Sequence, residues 1–460
     1  MARVLVLGLD CVPPRLAFER YRHVMPNLSA LMAAGTWGPL LSTTPPITVP
    51  AWASLFSGYD PGELGLYGFR NRVPGSYALD LTSSSQLQLP MLWQRLDAAQ
   101  RACVLFVPPS FPPRALQGEL VSCFLTPDAA SLHTFPEALA AELRERFGPY
   151  IPDVEDYRTD DRARLLQQLY AMTAQHFQIA CYLQRTRRPD LMAIVEIGPD
   201  RFHHGFWSAL DPEHPQYDSA GAYRDAGLLY YAFLDRQLGL LLRAAGPDVN
   251  VLVLSDHGAR PLHGCVHINE WLIRHGYLVL SHYPAQLTPW AKLEVDWSRT
   301  RVFGEGGYYS RMMLNVAGRE PRGIVAQADV AGLCAQMQRE LAAQAGPSGE
   351  PLKQRVLRPD ECYRVLRGLP PDLMVFWDDL NYRSSGAVGG ETLFSKTNDT
   401  GPDGCNHDWH GIFVLAGPDV RARGPLREVH HGDVAPTVLK LLGRPASELR
   451  GCDRSLASDS

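Results

Sequence analysis

The chain has 460 residues, 45% of them hydrophobic and 20% charged, and a formal net charge of −5. This composition is ordinary for a soluble globular protein, and the length allows two or three domain-sized units or one large α/β core with insertions. The negative balance, without any lysine- or arginine-rich block, gives no support to binding of a nucleic-acid polymer.

The first residues and the cysteines indicate the cellular compartment of the protein. Residues 1–9 form an apolar run that is too short for a signal-peptide core with its cleavage site and that leads into an acid, Asp10. No segment reaches the ~18 apolar residues of a membrane span. The nine cysteines are scattered and include no C-x-x-C pair, which suits a reducing compartment. We therefore expect a cytoplasmic protein without a membrane segment.

Strand-like and helix-like segments alternate along the chain. This alternation predicts an α/β fold with a mostly parallel central sheet and helices on both faces. The predicted strands are Arg3–Leu9, Ala102–Val107, 191–196, 250–255 and Gly411–Leu415. The predicted helices are Pro26–Ala34, Pro50–Phe56, Arg162–Arg185, Ala222–Ala245 and Asp433–Leu442.

Two segments are less regular than the rest. Residues 108–160 are rich in proline and loop residues, and residues 276–403 combine a proline-bearing stretch with a helix near Val325–Ala345 and the apolar run Leu373–Trp377. We expect a catalytic core formed by residues 1–275, with 108–160 as a loop-rich insertion, and completed by 404–460. Residues 276–403 would be an insertion or cap, and both irregular segments would contact the substrate.

Carboxylates and imidazoles directly follow two of the predicted strands. Asp200, His203 and His204 come after the strand at 191–196, and Asp256 and His257 come at the end of the next one. In open α/β sheets ligands bind at the carboxyl ends of strands, and carboxylate with neutral imidazole suits zinc or a similar ion. The spacing of four puts Asp200 and His204 on one helical face, so His203 would point elsewhere. Two such clusters predict a two-metal site.

Three more polar residues occupy similar places. Asp10 ends the first strand, although it could equally be a turn or capping acid. Thr48 lies just before the helix at 50–56, where free N–H groups favour a phosphate, although it could be a plain N-cap. His407 comes just before a late strand. The competing residues nearby are Thr43, Thr44 and His410.

In this order the residues resemble those of the alkaline phosphatase superfamily. The resemblance is strongest to type I phosphodiesterase/nucleotide pyrophosphatase proteins and the bacterial phosphohydrolase/phosphomutase group. It runs from residue 1 to about 453 and includes the stretches 25–28, 48–58, 268–278, 318–321 and 433–437. The positions that carry it are Asp10, Thr48, Asp200, His204, Asp256, His257 and His407.

The resemblance implies a metal-dependent phosphoric-ester hydrolase with two divalent ions, zinc being expected and manganese the alternative. It implies one ion held by Asp200, His204 and His407, and another held by Asp10, Asp256 and His257 with Thr48 bound to it as nucleophile. Metal coordination would activate the hydroxyl, and two ions about 4 Å apart can stabilise an in-line displacement. A phosphothreonine intermediate would follow.

One position departs from the family pattern. Diesterases of the family place an asparagine downstream of the nucleophile to hold a phosphate oxygen, and the gapless position here is Phe69, followed by Arg70 and Asn71. Either Arg70 or Asn71 could bind substrate in its place. An arginine would favour a more highly charged phosphate through bidentate bonding.

Other functions remain as alternatives at this point. The resemblance alone favours a phosphodiesterase that acts on a small phosphate ester over a phosphomonoesterase. A phosphomutase would need a phosphosugar site, which we do not identify in the sequence. A sulfatase needs a C-x-P-x-R type motif, which residues 48–52 lack. A non-catalytic binding protein predicts missing ligands, and all seven positions are filled. The sequence carries no indication of an oligomeric state.

Overall fold

The computed structural model describes residues 3–455, which form a ten-stranded central sheet and several smaller sheets. The strands are β1 Arg3–Leu9, β2 Thr36–Leu41, β3 Arg70–Arg72, β4 Leu79–Leu81, β5 Ala102–Leu105, β6 Gly118–Val121, β7 Thr134–Phe135, β8 Leu191–Glu196, β9 Val249–Leu254, β10 Gly258–Pro261, β11 Gly264–His267, β12 Val302–Glu305, β13 Ser310–Leu314, β14 Arg355–Leu357, β15 Leu373–Phe376, β16 Tyr382–Ser385, β17 Phe394–Ser395, β18 Cys405–Asp408, β19 His410–Ala416, β20 Gly424–Pro425 and β21 Val429–His430.

Helices surround these strands. The α-helices of the described residues are α1 Pro26–Ala34, α2 Thr48–Ser57, α3 Pro61–Leu64, α4 Leu139–Phe147, α5 Arg162–Arg187, α6 Gly198–Leu210, α7 Ala226–Ala245, α8 Ile268–Arg274, α9 Val330–Ala342, α10 Pro359–Cys362 and α11 Val434–Leu441. None of them has both the length and the apolar character needed to cross a membrane.

The central sheet has the order β20-β2-β19-β9-β1-β8-β5-β6-β7, with β21 also paired to β2. The strands from β9 to β6 run parallel to one another, whereas β19 is antiparallel to both of its neighbours and β7 is antiparallel to β6. The predicted α/β fold with a mostly parallel sheet is therefore confirmed.

Both faces of the sheet are covered because successive side chains of a strand point to opposite sides. In β1, Leu5 and Leu7 belong to the apolar core that includes residues of α1, α5, α6 and α7. Val4 and Val6 face the other way, into a core that includes Trp52 and Phe56 of α2 and residues of α11. Burial on both faces explains why these strands are continuous apolar runs rather than alternating ones.

Several predicted boundaries agree with the structure, and others shift by a few residues. The bounds of β1, α1 and β8 are those predicted. Helix α2 starts at Thr48, two residues before Pro50, because a proline is tolerated in the first turn of a helix. Helix α7 starts at Ala226 rather than Ala222, since the residues before it form turns.

Residues 276–403, which we call the cap, supply all four strands of a second sheet. Its order is β12-β13-β15-β14. Helix α9 lies within the helix expected near Val325–Ala345, and the apolar run Leu373–Trp377 contains β15. The strands of this sheet and α9 share an apolar cluster, and helix α8, which ends just before residue 276, packs into it as well. The division of the chain into core, insertion and cap stays a prediction.

A short antiparallel pair connects the end of the cap to the central sheet. Strand β18 pairs with β10 in a register that sets His407 opposite Ala259. Because β10 follows β9 after only three residues, this pairing brings His407 next to His257, with ring centroids 3.7 Å apart. Residues separated by 150 positions in the chain thus meet at one edge of the sheet.

Candidate metal and nucleophile site

Three carboxylates meet at the carboxyl ends of neighbouring strands. Asp10 follows β1, Asp256 follows β9, and Asp200 lies in the first turn of α6, the helix that follows β8. These strands are adjacent and parallel, so their ends open at the same edge. The three residues are only 0%, 1% and 1% exposed. Buried carboxylates in such proximity require a compensating charge.

The first cluster consists of Asp200, His204 and His407. Nε2 of His204 lies 3.4 Å from Oδ1 of Asp200, and Nε2 of His407 lies 3.5 Å from the same oxygen. Helix α6 supplies the first two residues from one face, as the spacing of four predicted. The pairing of β18 with β10 supplies the third.

The second cluster consists of Asp10, Asp256 and His257. Nε2 of His257 lies 3.6 Å from Oδ1 of Asp10 and 3.2 Å from Oδ2 of Asp256. Thr48, the first residue of α2, is 1% exposed, and its Oγ1 lies 3.2 Å from Nε2 of His257. The hydroxyl therefore sits at the edge of this cluster and at the N-terminus of a helix.

The donor atoms of both clusters fit divalent ions. Buried polar atoms are nearly always hydrogen-bonded, yet four atoms here are buried without a hydrogen-bond partner among the described residues. They are Oδ1 of Asp10, Oδ1 of Asp200, Oδ2 of Asp256 and Nε2 of His407. The ligand atoms of each cluster lie within 4.8 Å of one another. Oxygen and nitrogen donors in this arrangement suit zinc or manganese.

The three imidazoles are held so that Nε2 faces the clusters. In each ring Nδ1 contacts an oxygen of the surrounding structure, which fixes ring orientation as the outer hydrogen bonds of metal-bound histidines do. The contacts join His204 Nδ1 to Asp403 Oδ1 at 2.6 Å, His407 Nδ1 to the Pro46 carbonyl at 2.8 Å, and His257 Nδ1 to the Gly258 carbonyl at 3.0 Å.

The electrostatics of the carboxylates reflect their crowding. Burial, reinforced by the charge of Asp200, raises the pKa of Asp10 well above its usual range. Burial and the charge of Asp10 raise the pKa of Asp256 in the same way. Burial acts against ionisation of Asp200 too, but His204 and other donors hold its pKa well below the usual range. A cation between these groups would favour the ionised form of all three.

Asp403 connects the first cluster to the irregular segments. Its Oδ1 contacts His204, and its Oδ2 accepts from Arg158 at 2.8 Å and from Arg383. Arg158 belongs to the loop-rich segment, and Arg383 belongs to the cap. Although burial opposes it, these positive neighbours hold the pKa of Asp403 well below its usual range. The sequence prediction missed this residue, whose one signal was a carboxylate four positions before His407.

A cavity of about 350 Å³, which we call the inner cavity, lies beside the clusters. Tyr308 lines it, stacks on His407 at 3.8 Å between ring centroids, and has its hydroxyl 3.4 Å from Nε2 of His204. Arg201 also lines it and contacts Asp200 at 2.8 Å. Other lining residues from the loop-rich segment and the cap are Phe124, Tyr157, Arg158, Glu305, Tyr309, Arg311 and Arg383.

The structure separates the two candidate substrate contacts, Arg70 and Asn71. The Asn71 side chain is committed to the local turn, since its Oδ1 accepts from the backbone of Tyr67 at 3.0 Å and its Nδ2 donates to Thr82 at 2.8 Å. Arg70 is exposed and lines the inner cavity. Among residues 3–455, its guanidinium forms no ion pair, although its charge acts on the carboxyl group of Glu305, which lines the same cavity.

The competing candidates have other contacts. His203 faces the hydroxyl of Tyr231 at 3.0 Å, and burial lowers its pKa to about 3. His410 pairs with Glu428 at 2.8 Å, away from both clusters. Thr43 donates its hydroxyl to the Pro45 carbonyl at 2.7 Å. Cys11 lies beside the second cluster, but its thiol donates to the Gly258 carbonyl at 3.4 Å.

Comparison with known proteins gives one family and one fold. The sequence profile "Type I phosphodiesterase / nucleotide pyrophosphatase" matches residues 4–411. No curated protein sequence matches the chain.

Two solved structures illustrate the likeness in fold. Human ectonucleotide pyrophosphatase/phosphodiesterase 5 superposes with a TM-score of 0.60 at 14% identity, over 98% of this chain and 97% of that one. Phosphonoacetate hydrolase from Sinorhizobium meliloti, in complex with phosphonoacetate, superposes with a TM-score of 0.60 at 16% identity, over 96% of both chains. At these identities the likeness concerns the fold.

Proposed function

The chain belongs to the type I phosphodiesterase / nucleotide pyrophosphatase family and is a hydrolase of phosphoric esters, and we propose that it is a two-metal phosphodiesterase with Thr48 as its nucleophile. The observation that carries the proposal is the convergence of two ligand clusters on a buried hydroxyl, with four ligand atoms that have no hydrogen-bond partner among the described residues.

Two divalent ions, expected to be zinc, would be held by the two clusters. Asp200, His204 and His407 would hold one, and Asp10, Asp256 and His257 would hold the other, with Thr48 beside it. When bound, the ions would supply Lewis-acid chemistry by lowering the pKa of the Thr48 hydroxyl and stabilising charge on the phosphate oxygens.

Thr48 would attack phosphorus in line with the departing group. A bond forms between Oγ1 and phosphorus, the bond from phosphorus to the leaving alcohol oxygen breaks, and that alcohol takes up a proton. Water then attacks the phosphothreonine, which restores the hydroxyl and releases the phosphate monoester. The start of α2 adds backbone N–H groups that favour the negative phosphate at this position.

The charges around the site support a diester over a monoester. Two dications with three carboxylates leave about one positive charge, which a diester monoanion balances. Four of the five arginines of the inner cavity contact carboxylates: Arg158 and Arg383 share Asp403, Arg201 pairs with Asp153 and Asp200, and Arg311 pairs with Glu305. A monoester dianion would need a further cation, for which Arg70 is the candidate.

A panel of matched aryl esters tests the proposal. The protein, reconstituted with zinc or with manganese, is given 4-nitrophenyl phosphate, ethyl 4-nitrophenyl phosphate and 4-nitrophenyl sulfate. We expect the highest kcat/KM on the diester and none on the sulfate. A preference for the monoester under both metals would refute the diesterase assignment, and no hydrolysis of any ester would refute the proposed function.

A further inference from the structure

A second cavity, of about 580 Å³, adjoins the inner cavity on its cap side. We call it the outer cavity. The two cavities share five lining residues, Arg70, Glu305, Gly306, Gly307 and Arg383. The space beside Gly307, at the boundary between the two cavities, is open, because a Cβ added to this glycine would meet no described atom within 4 Å. A ligand with its phosphorus at Thr48 could therefore extend from the inner into the outer cavity.

Aromatic rings that are fixed in place line part of the outer cavity. Tyr77 stacks on Trp297 with 3.5 Å between ring centroids, and Trp290 lies parallel to Phe303 at 5.9 Å. Because these neighbours restrain the rings, little side-chain entropy is left to lose when a ligand binds. The rest of the lining includes the apolar residues Ala78, Leu79, Pro289, Ala291 and Ala387.

The polar groups at the boundary are already compensated, apart from one cation. Glu305 pairs with Arg311 at 2.7 Å, and Arg383 pairs with Asp403. Arg70 alone has no ion-pair partner among the described residues. Away from the boundary, Ser384, Asp399 and Thr400 also line the outer cavity, and Asp399 accepts a hydrogen bond from the Ser385 hydroxyl. The outer cavity thus combines apolar and aromatic walls with a smaller set of polar groups, which is the composition of small-molecule sites.

We propose that the outer cavity binds a planar aromatic ring carried by one substituent of the ester, separated from phosphorus by a flexible linker that passes Arg70. This rests on the proposed function, because it takes phosphorus to lie at Thr48. The ring would bury apolar area against Trp290 and Tyr77. An ester with short alkyl substituents would fill only the inner cavity.

Two pairs of ligands test this inference. The first pair is butyl and 4-phenylbutyl 4-nitrophenyl phosphate, which share a leaving group and are compared by kcat/KM. The second pair is butylphosphonate and 4-phenylbutylphosphonate, which are not esters and are compared by calorimetric affinity for the zinc-loaded protein. In both pairs we expect an advantage of about tenfold for the phenyl compound, in line with burial of a ring.

Three variants assign the advantage to the cavity. Ala78→Trp fills the outer cavity without removing any packing, and Trp290→Leu removes an aromatic wall. In each of these two variants, kcat/KM for the phenylbutyl ester should fall to about that for the butyl ester. The two phosphonates should likewise bind with about equal affinity. Tyr283→Ala is the control, since this exposed cap tyrosine does not line the cavity, and it should keep the ratio of the wild type. Thermal unfolding followed by circular dichroism checks that each variant is folded.

The outcomes separate this inference from the proposed function. The proposal that the outer cavity binds a ring is overturned by either of two results. One is that the phenylbutyl and butyl compounds have equal kcat/KM and equal affinity in the wild type. The other is that the phenylbutyl advantage survives both Ala78→Trp and Trp290→Leu. If neither diester is hydrolysed but 4-phenylbutylphosphonate still binds about tenfold tighter, and Ala78→Trp removes that difference, the ring site stands and the diesterase function falls.

Discussion

Oγ1 of Thr48 lies 3.2 Å from Nε2 of His257, although the two residues are 209 positions apart in the chain. The contact exists because α2 begins at the edge of the sheet where β9 ends. Neither residue is exposed by more than 1%. Under the proposed function, an ion held by His257 would activate the Thr48 hydroxyl, and this is the basis of the first prediction.

Thr48→Ala should lower kcat by about 10³-fold or more, in line with the loss of nucleophiles in other covalent hydrolases, while fold and metal content stay close to wild type. Thr48→Ser should keep part of the activity because the hydroxyl remains. Thr44→Ala, four residues earlier, is the control and should stay near wild type. Steady-state kinetics with metal analysis check all three, and near-normal turnover in Thr48→Ala would place the nucleophile elsewhere.

The metal content should be two ions per chain after zinc reconstitution. Asp200→Asn and Asp256→Asn should each lose about one ion, because each variant disturbs a different cluster. Asp248→Asn changes an exposed carboxylate near the start of β9 and should keep both ions. Plasma emission spectroscopy after gel filtration gives the stoichiometry. Less than one ion per chain in the wild type would contradict the assignment.

Asp403 should act as a positioning residue for His204. Asp403→Asn keeps the shape but weakens the hydrogen bond at Nδ1, so zinc affinity at one site should fall by about 10–100-fold. Asp372→Asn is the matched control, since Asp372 also pairs with an arginine but contacts none of the candidate ligands. Chelator competition measures the affinities. An equal loss of affinity in both variants would assign Asp403 a merely structural role.

The meeting of the three carboxylates in this candidate site could be predicted because they follow strands of a parallel sheet. Asp10, Asp200 and Asp256 needed only the alternation of strands and helices to be placed at one edge. The position of His407 was harder, since it depends on the pairing of β18 with β10, for which local sequence gives no signal. The family resemblance supplied that residue.

Several residues beside the clusters and the inner cavity escaped prediction for a different reason. Tyr308, Arg158 and Asp403 lie in segments without clear periodicity, and they reach the site only through the packing of the cap against the core. The direction of β19 was also unforeseen, because an apolar run shows that a strand is buried and not which way it runs.

His431 should contribute to the loss of stability in acid. Partial burial of the residue and the charge of His430 lower its pKa to about 3, below the value of about 6.5 in an unfolded chain. The unfolded state thus binds the proton first, so stability is complete above pH ~6.5 and falls as the pH drops towards ~3. His431→Gln should reduce the stability loss between pH 7 and pH 5 by about 1–2 kcal/mol.

Urea unfolding at both pH values measures this difference. His282→Gln is the control, because it replaces a histidine whose side chain is 87% exposed. This variant should lose the same free energy of unfolding between pH 7 and pH 5 as the wild type. An unchanged loss in His431→Gln as well would show that other groups account for the acid sensitivity.

The last prediction concerns Arg70 and the charge of the substrate phosphate. Because the other arginines of the inner cavity have carboxylate partners, Arg70 is the cation available for the second negative charge of a monoester. Arg70→Ala should lower kcat/KM for 4-nitrophenyl phosphate by about tenfold or more and that for ethyl 4-nitrophenyl phosphate by much less. Asn71→Ala, which alters no charge and removes a side chain committed to its own turn, should change the two rates together through any effect on the turn. If the wild type prefers the monoester and Arg70→Ala lowers only that activity, Arg70 is the phosphate clamp of a monoesterase. If Arg70→Ala leaves the ratio of kcat/KM for the monoester to kcat/KM for the diester unchanged, Arg70 does not discriminate between a phosphate dianion and a monoanion.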